Sequence, residues 1–536
     1  GAGNLLTVHV PVIAPVLLEY LSAMESQDLV YLQFHTDKMN ISAERLEELR
    51  LQVAQSGPFA ESLQLCLQYV KKSGIEKLVP SLAQLIRNGT GLATRNGTAN
   101  FITDLAVQKP KKFKPYASPL LNPLAGGLND RSATVRRAYS KAIAQVAKLS
   151  KSSSVRKLLV RITDQYKTAD PSDSGDKVRH TSGMVLLALA NAAPSKLKKR
   201  LGELIPLTFM AKFSKNNQVK RVWVEVWEAL TSTTAAGVKA HIKGITNLML
   251  ECLDASSYEI RRQGAEALTE AIGVAGDAST GEMPRIVETL TKVMSGRYWA
   301  GKEAVLRSVV AVVKSSETTN SEHNGRLIEL MLRECKREVD DSYVRDCVDS
   351  LGRLVETLAD SDYYASVSKV VLEIEERARK DEPLLRARAI ECLGRCWPKC
   401  SSQTQKETIG PLIDLLGTSM KAALWRVRVA IVSTVTMMLE KVLSDVSNSH
   451  FLSTSIEILN VGAKDVKYHQ VRSEVAKCIL TIAKRAGKDA EAAALFKQPS
   501  DQIRDIARLL SGDGDPTTQQ RSQLARDSLG KTYGLK

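Results

Sequence analysis

Apolar residues recur at three- and four-residue spacing along most of this chain, which is the period of amphipathic helices. In 241–253 HIKGITNLMLECL, 283–294 MPRIVETLTKVM and 408–416 TIGPLIDLL the apolar positions fall on one helical face. Each such stretch runs into a short turn, often with an Asp, and then an apolar residue followed by Arg or Lys opens a second amphipathic stretch. The opening pairs are Thr94-Arg95, Val135-Arg136, Val178-Arg179, Val219-Lys220, Ile260-Arg261, Gly301-Lys302, Val344-Arg345, Leu385-Arg386, Val427-Arg428 and Val471-Arg472. Successive pairs lie 41, 43, 41, 41, 41, 43, 41, 42 and 44 residues apart. Eight residues after the first member of each pair stand Ile102, Ile143, Leu186, Trp227, Leu268, Val309, Gly352, Leu393, Val435 and Ile479, apolar in nine of ten units. Trp223 and Trp227, four and eight residues on, therefore belong to a core face. An Asp precedes the pair by four to six residues at Asp130, Asp173, Asp254, Asp340, Asp381 and Asp465.

Two helices per unit at this period predict an all-α fold, a HEAT/armadillo-like solenoid of about ten helix hairpins. One helix burying four large apolar side chains gains about 6–12 kcal/mol. Ordering roughly fifteen residues costs as much or more in backbone entropy. A single unit is therefore not expected to fold, and only a stack shares a continuous core. The solenoid is placed at 76–500, after an N-terminal helical segment at 1–75. The polar stretch 24–60 falls out of register and reads as an insertion with one helix near 42–55. Residues 501–536 read as the end of the last helix followed by a flexible tail from 511.

Composition narrows the class. The chain has 536 residues, with 31 Gly and 17 Pro, few enough to suit long helices. No apolar run is expected to reach the length of a membrane span. The segment VPVIAPVLLEYL is broken by Pro11 and Pro15 and lacks a basic flank, so it does not read as a signal peptide. A first residue of Gly1 points to a processed product or a piece of something longer. Eight Cys in this length are no disulfide framework, and a reducing compartment, cytoplasm or nucleus, is expected.

Candidate chemistry is sparse. Residues 296–303, GRYWAGKE, match seven-eighths of the phosphate-loop pattern GxxxxGK[ST]. Yet Lys302 is in register as a unit's ordinary basic residue, a helical pattern precedes it, and Glu303 stands where Ser or Thr would hold Mg²⁺. It reads as a repeat turn. Cys392, Cys396 and Cys400 would line one helix face if the helix continued, but Pro398 interrupts it and zinc wants a fourth ligand. Small core residues are expected there. No catalytic, cofactor-binding or metal-ligating set is legible, and no enzymatic activity is expected.

Charge is more informative. Between 107 and 243 stand 26 Lys and Arg against 8 Asp and Glu, a balance of +18 in a chain whose net charge is +16. Arg136, Arg179 and Lys220 are repeat followers, expected to bind turn Asp residues and helix ends, which leaves +15. Stacking would place charges 41 residues apart on one positive ridge. The candidate partner contacts are Lys111, Lys112, Lys114, Lys198, Lys199 and Arg200. Trp299 joins them because Trp is favoured at binding hot spots, beside its reading as a large side chain closing the core. Nucleic acid is the less favoured partner, because aromatic residues do not interleave with the charge.

Residues 66–102, 113–149 and 296–313, with GRYWAGKE as the most specific match, resemble the C-terminal region of the proteasome adapter and scaffold protein family (Ecm type). The resemblance runs over about 60–500 and is strongest to about 320. It implies a non-enzymatic HEAT-repeat scaffold that bridges the proteasome's regulatory and core particles and modulates their activity, in cytoplasm and nucleus, with no cofactor, small-molecule substrate or membrane insertion. The alternative is a HEAT scaffold binding nucleic acid or transport cargo through the basic ridge at 107–243.

Overall fold

The computed structural model describes residues 2–24, 43–315, 321–358, 363–422 and 424–534, and among them no strand occurs. The chain divides into two compact units, Gly1–Glu251 and Cys252–Lys536. The first contains α1 (Ala2–Tyr20), α2 (Ala43–Gln55), α3 (Pro58–Tyr69), α4 (Lys72–Asn88), α5 (Leu92–Gln108), α6 (Pro110–Gly126) and α7 (Ala133–Leu149). It continues through α8 (Ser152–Thr168), α9 (Asp173–Ala192), α10 (Pro194–Leu197), α11 (Leu201–Ala211), α12 (Asn217–Leu230) and most of α13 (Thr234–Leu253). The second contains α14 (Tyr258–Ala275), α15 (Met283–Ser295), α16 (Glu303–Ser315), α17 (Ser321–Cys335), α18 (Asp341–Thr357), α19 (Tyr364–Arg377) and α20 (Pro383–Cys396). It ends with α21 (Ser402–Ala422), α22 (Trp425–Lys441), α23 (Ser449–Ala463), α24 (His469–Ala486), α25 (Ala490–Leu495), α26 (Ser500–Leu510) and α27 (Pro516–Tyr533).

Within each unit the helix of an opening pair packs on its counterpart one repeat later. In the first unit this row is α5, α7, α9 and α12, and in the second it is α14, α16, α18, α20, α22, α24 and α27. The reason is the stripe predicted from the sequence. Ile102, Ile143, Leu186, Leu268, Val309, Leu393, Val435 and Ile479 are all fully buried, and Trp227 nearly so. Side-chain caps fix where several of these helices begin. Ser132, Ser172, Asn216 and Asp340 each accept a hydrogen bond from a first-turn amide, those of Val135, Gly175, Val219 and Tyr343.

Gly352, the one glycine in the stripe, has a packing reason. A Cβ there would lie 3.2 Å from the backbone of Cys392, so its absence lets α18 and α20 approach closely. The helix expected near 42–55 is present as α2, while residues 25–42 lie outside the described ones.

Two expectations are corrected. The window Leu6–Ala23, at mean hydropathy 1.5, is long and apolar enough to cross a membrane by length and composition. Pro11 and Pro15 sit inside one continuous helix and do not break it. In the fold Val10, Ala14 and Leu18 of α1 are buried, and the helix packs on α3 and α4. Val8, Val12 and Val16 on the other side are exposed.

The described part of the expected tail, 511–534, is not loose, because α27 packs against α24 and α26 as a further repeat helix. Its buried residues are Thr518, Ser522, Ala525 and Leu529. A helical face made of small and polar side chains gives no hydrophobic period to read. The preceding turn is locked by Asp513, which accepts from Arg472 Nε and, at 3.2 Å, from Arg472 Nη2.

Trp227→Ala is expected to cost about 3–5 kcal/mol as a core truncation, measured by chemical denaturation. The indole is packed against the Phe209 ring, 5.1 Å between centroids. Hydrogen bonding by Arg472 holds the Asp513 carboxyl below its usual range. A depressed carboxylate contributes stability above its unfolded value, about 3.9. That contribution fades as pH falls through the lower folded value. Asp513→Asn is therefore expected to lower the melting temperature at neutral pH and to flatten its acid limb. Amide exchange should rise first in α27.

Candidate docking surface

In most units the basic residue of the opening pair binds its own turn, a neighbouring one, or both. Arg136 donates to the carbonyls of Asp130 at 2.7 Å and Arg131 at 3.0 Å, and Arg179 donates to that of Ala169 at 2.6 Å. Arg95 pairs with Asp130 at 2.7 Å, one repeat on, and Arg428 pairs with Asp465 at 2.6 Å in the same way. Arg472 completes the series by binding the Asp465 carbonyl behind it and Asp513 ahead. The expected role of Arg136 and Arg179 is thus met. Lys220 differs, since it is exposed.

At 296–303 the same device is wholly enclosed. Lys302 is fully buried and its ammonium donates to the carbonyls of Met294 at 2.9 Å and Gly296 at 3.1 Å, and to Glu334 at 3.0 Å. Glu334 also pairs with Arg337 at 2.7 Å and accepts from the Tyr343 hydroxyl at 2.7 Å. Burial pushes the Lys302 amine below its usual range, and Glu334 opposes that. All three donor positions of this lysine are occupied by protein, so no phosphate can be met. Gly301, at φ +106°, supplies the left-handed turn that brings the lysine inward. The segment is a repeat turn between α15 and α16.

Trp299, carried as a candidate contact, does not fill that role. It is 4% exposed, stacked on Tyr258 at 5.8 Å between centroids, with the Arg261 guanidinium over it. A large side chain closes the core there. Cys392, Cys396 and Cys400 are buried, but α20 ends at Cys396 and a 3₁₀ turn over Trp397–Lys399 takes Cys400 off its face. Cys400 Sγ donates to the Trp397 carbonyl at 2.9 Å. Among the described residues no three His, Cys, Asp or Glu gather in a way that could hold a metal ion.

The remaining candidates lie at the starts of the first helices of the hairpins. Lys111, Lys112 and Lys114 are exposed at the head of α6, and Lys198 and Lys199 are exposed after α10. Arg200 is half-buried and pairs with Glu203. Three contacts place these turns side by side. Lys109 donates to the Gln68 carbonyl at 3.1 Å, the Lys151 amide donates to Ser118 Oγ at 3.0 Å, and Lys196 donates to the Ser150 carbonyl at 2.6 Å. One edge of the first unit is therefore lined with lysines drawn from consecutive repeats.

A second surface escaped the sequence reading. A groove of about 810 Å³ runs over the open face of α7, α9 and α12, where Arg137, Lys141, His180 and Arg221 meet Met184, Leu187 and Val222. Its signal was present in the register. Asn96, Arg137, His180 and Arg221 each stand one residue after a repeat follower, at the same 41- to 43-residue spacing.

Because the network around Glu334 is enclosed, Lys302→Ala should destabilise the chain by about 3–5 kcal/mol, since it removes one partner of a buried ion pair and leaves Arg337 as the one cation on Glu334. Pairing Lys302→Met with Glu334→Leu should restore most of the loss in the same denaturation assay. ATP titration should give no binding signal with either protein.

The comparisons with known proteins match this geometry. The description "Proteasome adapter and scaffold protein ECM29, HEAT-repeat domain" covers residues 6–167, and "ECM29, C-terminal ARM-like repeats" covers 310–522. The human "Proteasome adapter and scaffold protein ECM29" is 24% identical over 99% of this chain and 30% of its own length. The Schizosaccharomyces pombe "Proteasome component ecm29" is 26% identical over 67% of this chain and 21% of its own length. The chain thus spans less than a third of the length of these relatives. Among solved structures, importin beta superposes with a TM-score of 0.52 at 14% identity, covering 99% of this chain and 64% of its own. Kap121p gives 0.55 at 12% identity, covering 98% and 62%. These two share the α-solenoid fold. The chain belongs to the proteasome adapter and scaffold protein ECM29 family.

Proposed function

We propose that this chain is a non-enzymatic segment of a proteasome adapter and scaffold, gripping the regulatory and core particles through many weak contacts and thereby tuning their activity. The match to a human proteasome adapter and scaffold over 99% of the chain carries this reading. A solenoid of stacked hairpins suits it physically, since a long repeated surface gains avidity from contacts that are each weak.

The lysine edge is the surface we assign to an acidic face of the partner. Lys71 and Lys72 head α4, Lys111 and Lys112 head α6, and Lys151 heads α8, with no acidic residue in any of those first turns. Cations at a helix N-terminus oppose the macrodipole, at roughly 0.3–1 kcal/mol each. Helix stability therefore gives no reason for this charge, whereas binding an acidic surface does. Nucleic acid or transport cargo on the same edge is the disfavoured alternative. A cytoplasmic and nuclear location accompanies the proposal, supported by eight Cys that are all buried.

Affinity capture from cell lysate tests it. The chain is expected to recover regulatory- and core-particle subunits together. A variant carrying Lys111→Glu, Lys112→Glu, Lys114→Glu, Lys198→Glu and Lys199→Glu should melt as the parent does and recover several-fold less. Equal recovery would remove the lysine edge from the interface, and absence of proteasome subunits from the parent capture would overturn the scaffold reading itself.

A further inference from the structure

We infer that the groove over α7, α9 and α12 is a docking site for an acidic amphipathic helix of a partner protein, laid end to end with the chain's own α2. Helix α2 already shows the mode. It packs across α5 and α7, and its Leu46, Leu51 and Ala54 are buried. Its polar contacts follow the repeat row. Gln55, at its C-terminal end, donates to Asn96 Oδ1 at 3.2 Å, and Glu44, at its N-terminal end, accepts from Arg137 at 2.9 Å. Glu47 accepts from Ser132 Oγ at 2.6 Å, at the N-cap of α7. Two side chains of α2, the Gln55 amide and the Glu44 carboxylate, thus occupy the first two positions of the row Asn96, Arg137, His180, Arg221.

Among the described residues no helix lies over the last two positions, where His180 is half-buried and Arg221 exposed. Beyond Glu44 the groove continues over His180 and Arg221, with exposed Lys141 on one wall and Met184, Leu187, Ala188 and Val222 on its floor. Its charged groups are Arg136, Arg137, Lys141, His180 and Arg221 against Glu44 and Glu225, and Glu225 is 3.5 Å from Arg221. A positive rim over an apolar floor is the complement of a helix that carries Leu or Ala on one face and Glu along its edge. Nucleic acid fits less well, because the floor offers aliphatic side chains and no aromatic ring on which a base could stack. Burial, then Arg136 and Arg137, hold His180 below the usual imidazole range, with Glu44 and Glu225 opposing. A carboxylate seated above it would favour its protonation.

The probe is a fluorescein-labelled, lactam-stapled helix of Ala, Leu and Glu about 14 residues long, enough to cover about 21 Å. Binding to the whole chain is followed by anisotropy, with a Lys-for-Glu version and a single-stranded oligonucleotide as rivals. Saturable binding of the Glu peptide is expected, weakened at least about tenfold in Lys141→Glu/Arg221→Glu and screened by salt. It should be unchanged in the variant with Glu at 111, 112 and 114. Histidine-selective NMR should show the His180 pKa rising when the peptide is bound. The inference is overturned if the Glu peptide fails to saturate, or if the Lys version or the oligonucleotide binds as tightly. It is also overturned if the double variant binds unchanged, or abolishes self-association of the chain instead. Proteasome capture is not read in this assay, so the groove and the scaffold reading stand or fall separately.

Discussion

Each second helix of a hairpin can bury the whole of its apolar stripe only between its own first helix and the second helices of neighbouring hairpins in its unit. That constraint sets the rest of the structure. A lone hairpin leaves one face of Trp227 or Val309 in water, and its burial does not cover the entropy of ordering thirty-odd residues. Stacking shares each face between two neighbours, so stability becomes a property of the row and not of any member. It also fixes the repeat length, because a helix in the row must return to the same height after each turn. Where the row needs two helices closer than usual, the sequence supplies Gly352 opposite Cys392.

The electrostatics follow from the same geometry. Turns stacked in register bring carbonyl ends, an Asp and a basic side chain to one place, and the followers use all three. Asp130 serves Arg95 behind it by its carboxylate and Arg136 ahead by its carbonyl. Asp465 does the same for Arg428 and Arg472. Lys302 replaces arginine where the site is closed, and Glu334 from the following hairpin replaces the turn Asp. A fully buried ammonium is tolerated only because two carbonyls and a carboxylate meet its three protons. The phosphate-loop resemblance of GRYWAGKE arises from this packing need, a left-handed glycine followed by an inward lysine.

The sequence made most of the solenoid legible because its signal is repeated. Ten opening pairs in register outweigh any one ambiguous residue, and the position eight residues on is buried wherever it is apolar. The failures are physical. Thr518 and Ser522 are buried in α27, so a real repeat helix looked polar. Trp299 carries both readings in the sequence, a large side chain closing the core and an anchor for a partner, and its burial under Tyr258 decides for the first. The basic clusters were found by density, yet density cannot tell a paired arginine from an open lysine. Arg200 pairs with Glu203 while Lys198 and Lys199 do not share that salt bridge.

The two basic surfaces of the first unit differ in kind, and the difference follows from which helices bear them. The edge at the heads of α6 and α8 carries lysines on flexible stems over polar turns, a surface that attracts without specifying shape. The face of α7, α9 and α12 belongs to the stacked row, so its charges are fixed on rigid helices and alternate with aliphatic floor. Rigid, mixed surfaces bind segments of defined shape. That α2, an insertion outside the repeat, has settled on this face and not on the lysine edge follows from the same distinction. Its leucines need a floor as much as its glutamates need a cation, and only the row of second helices offers both.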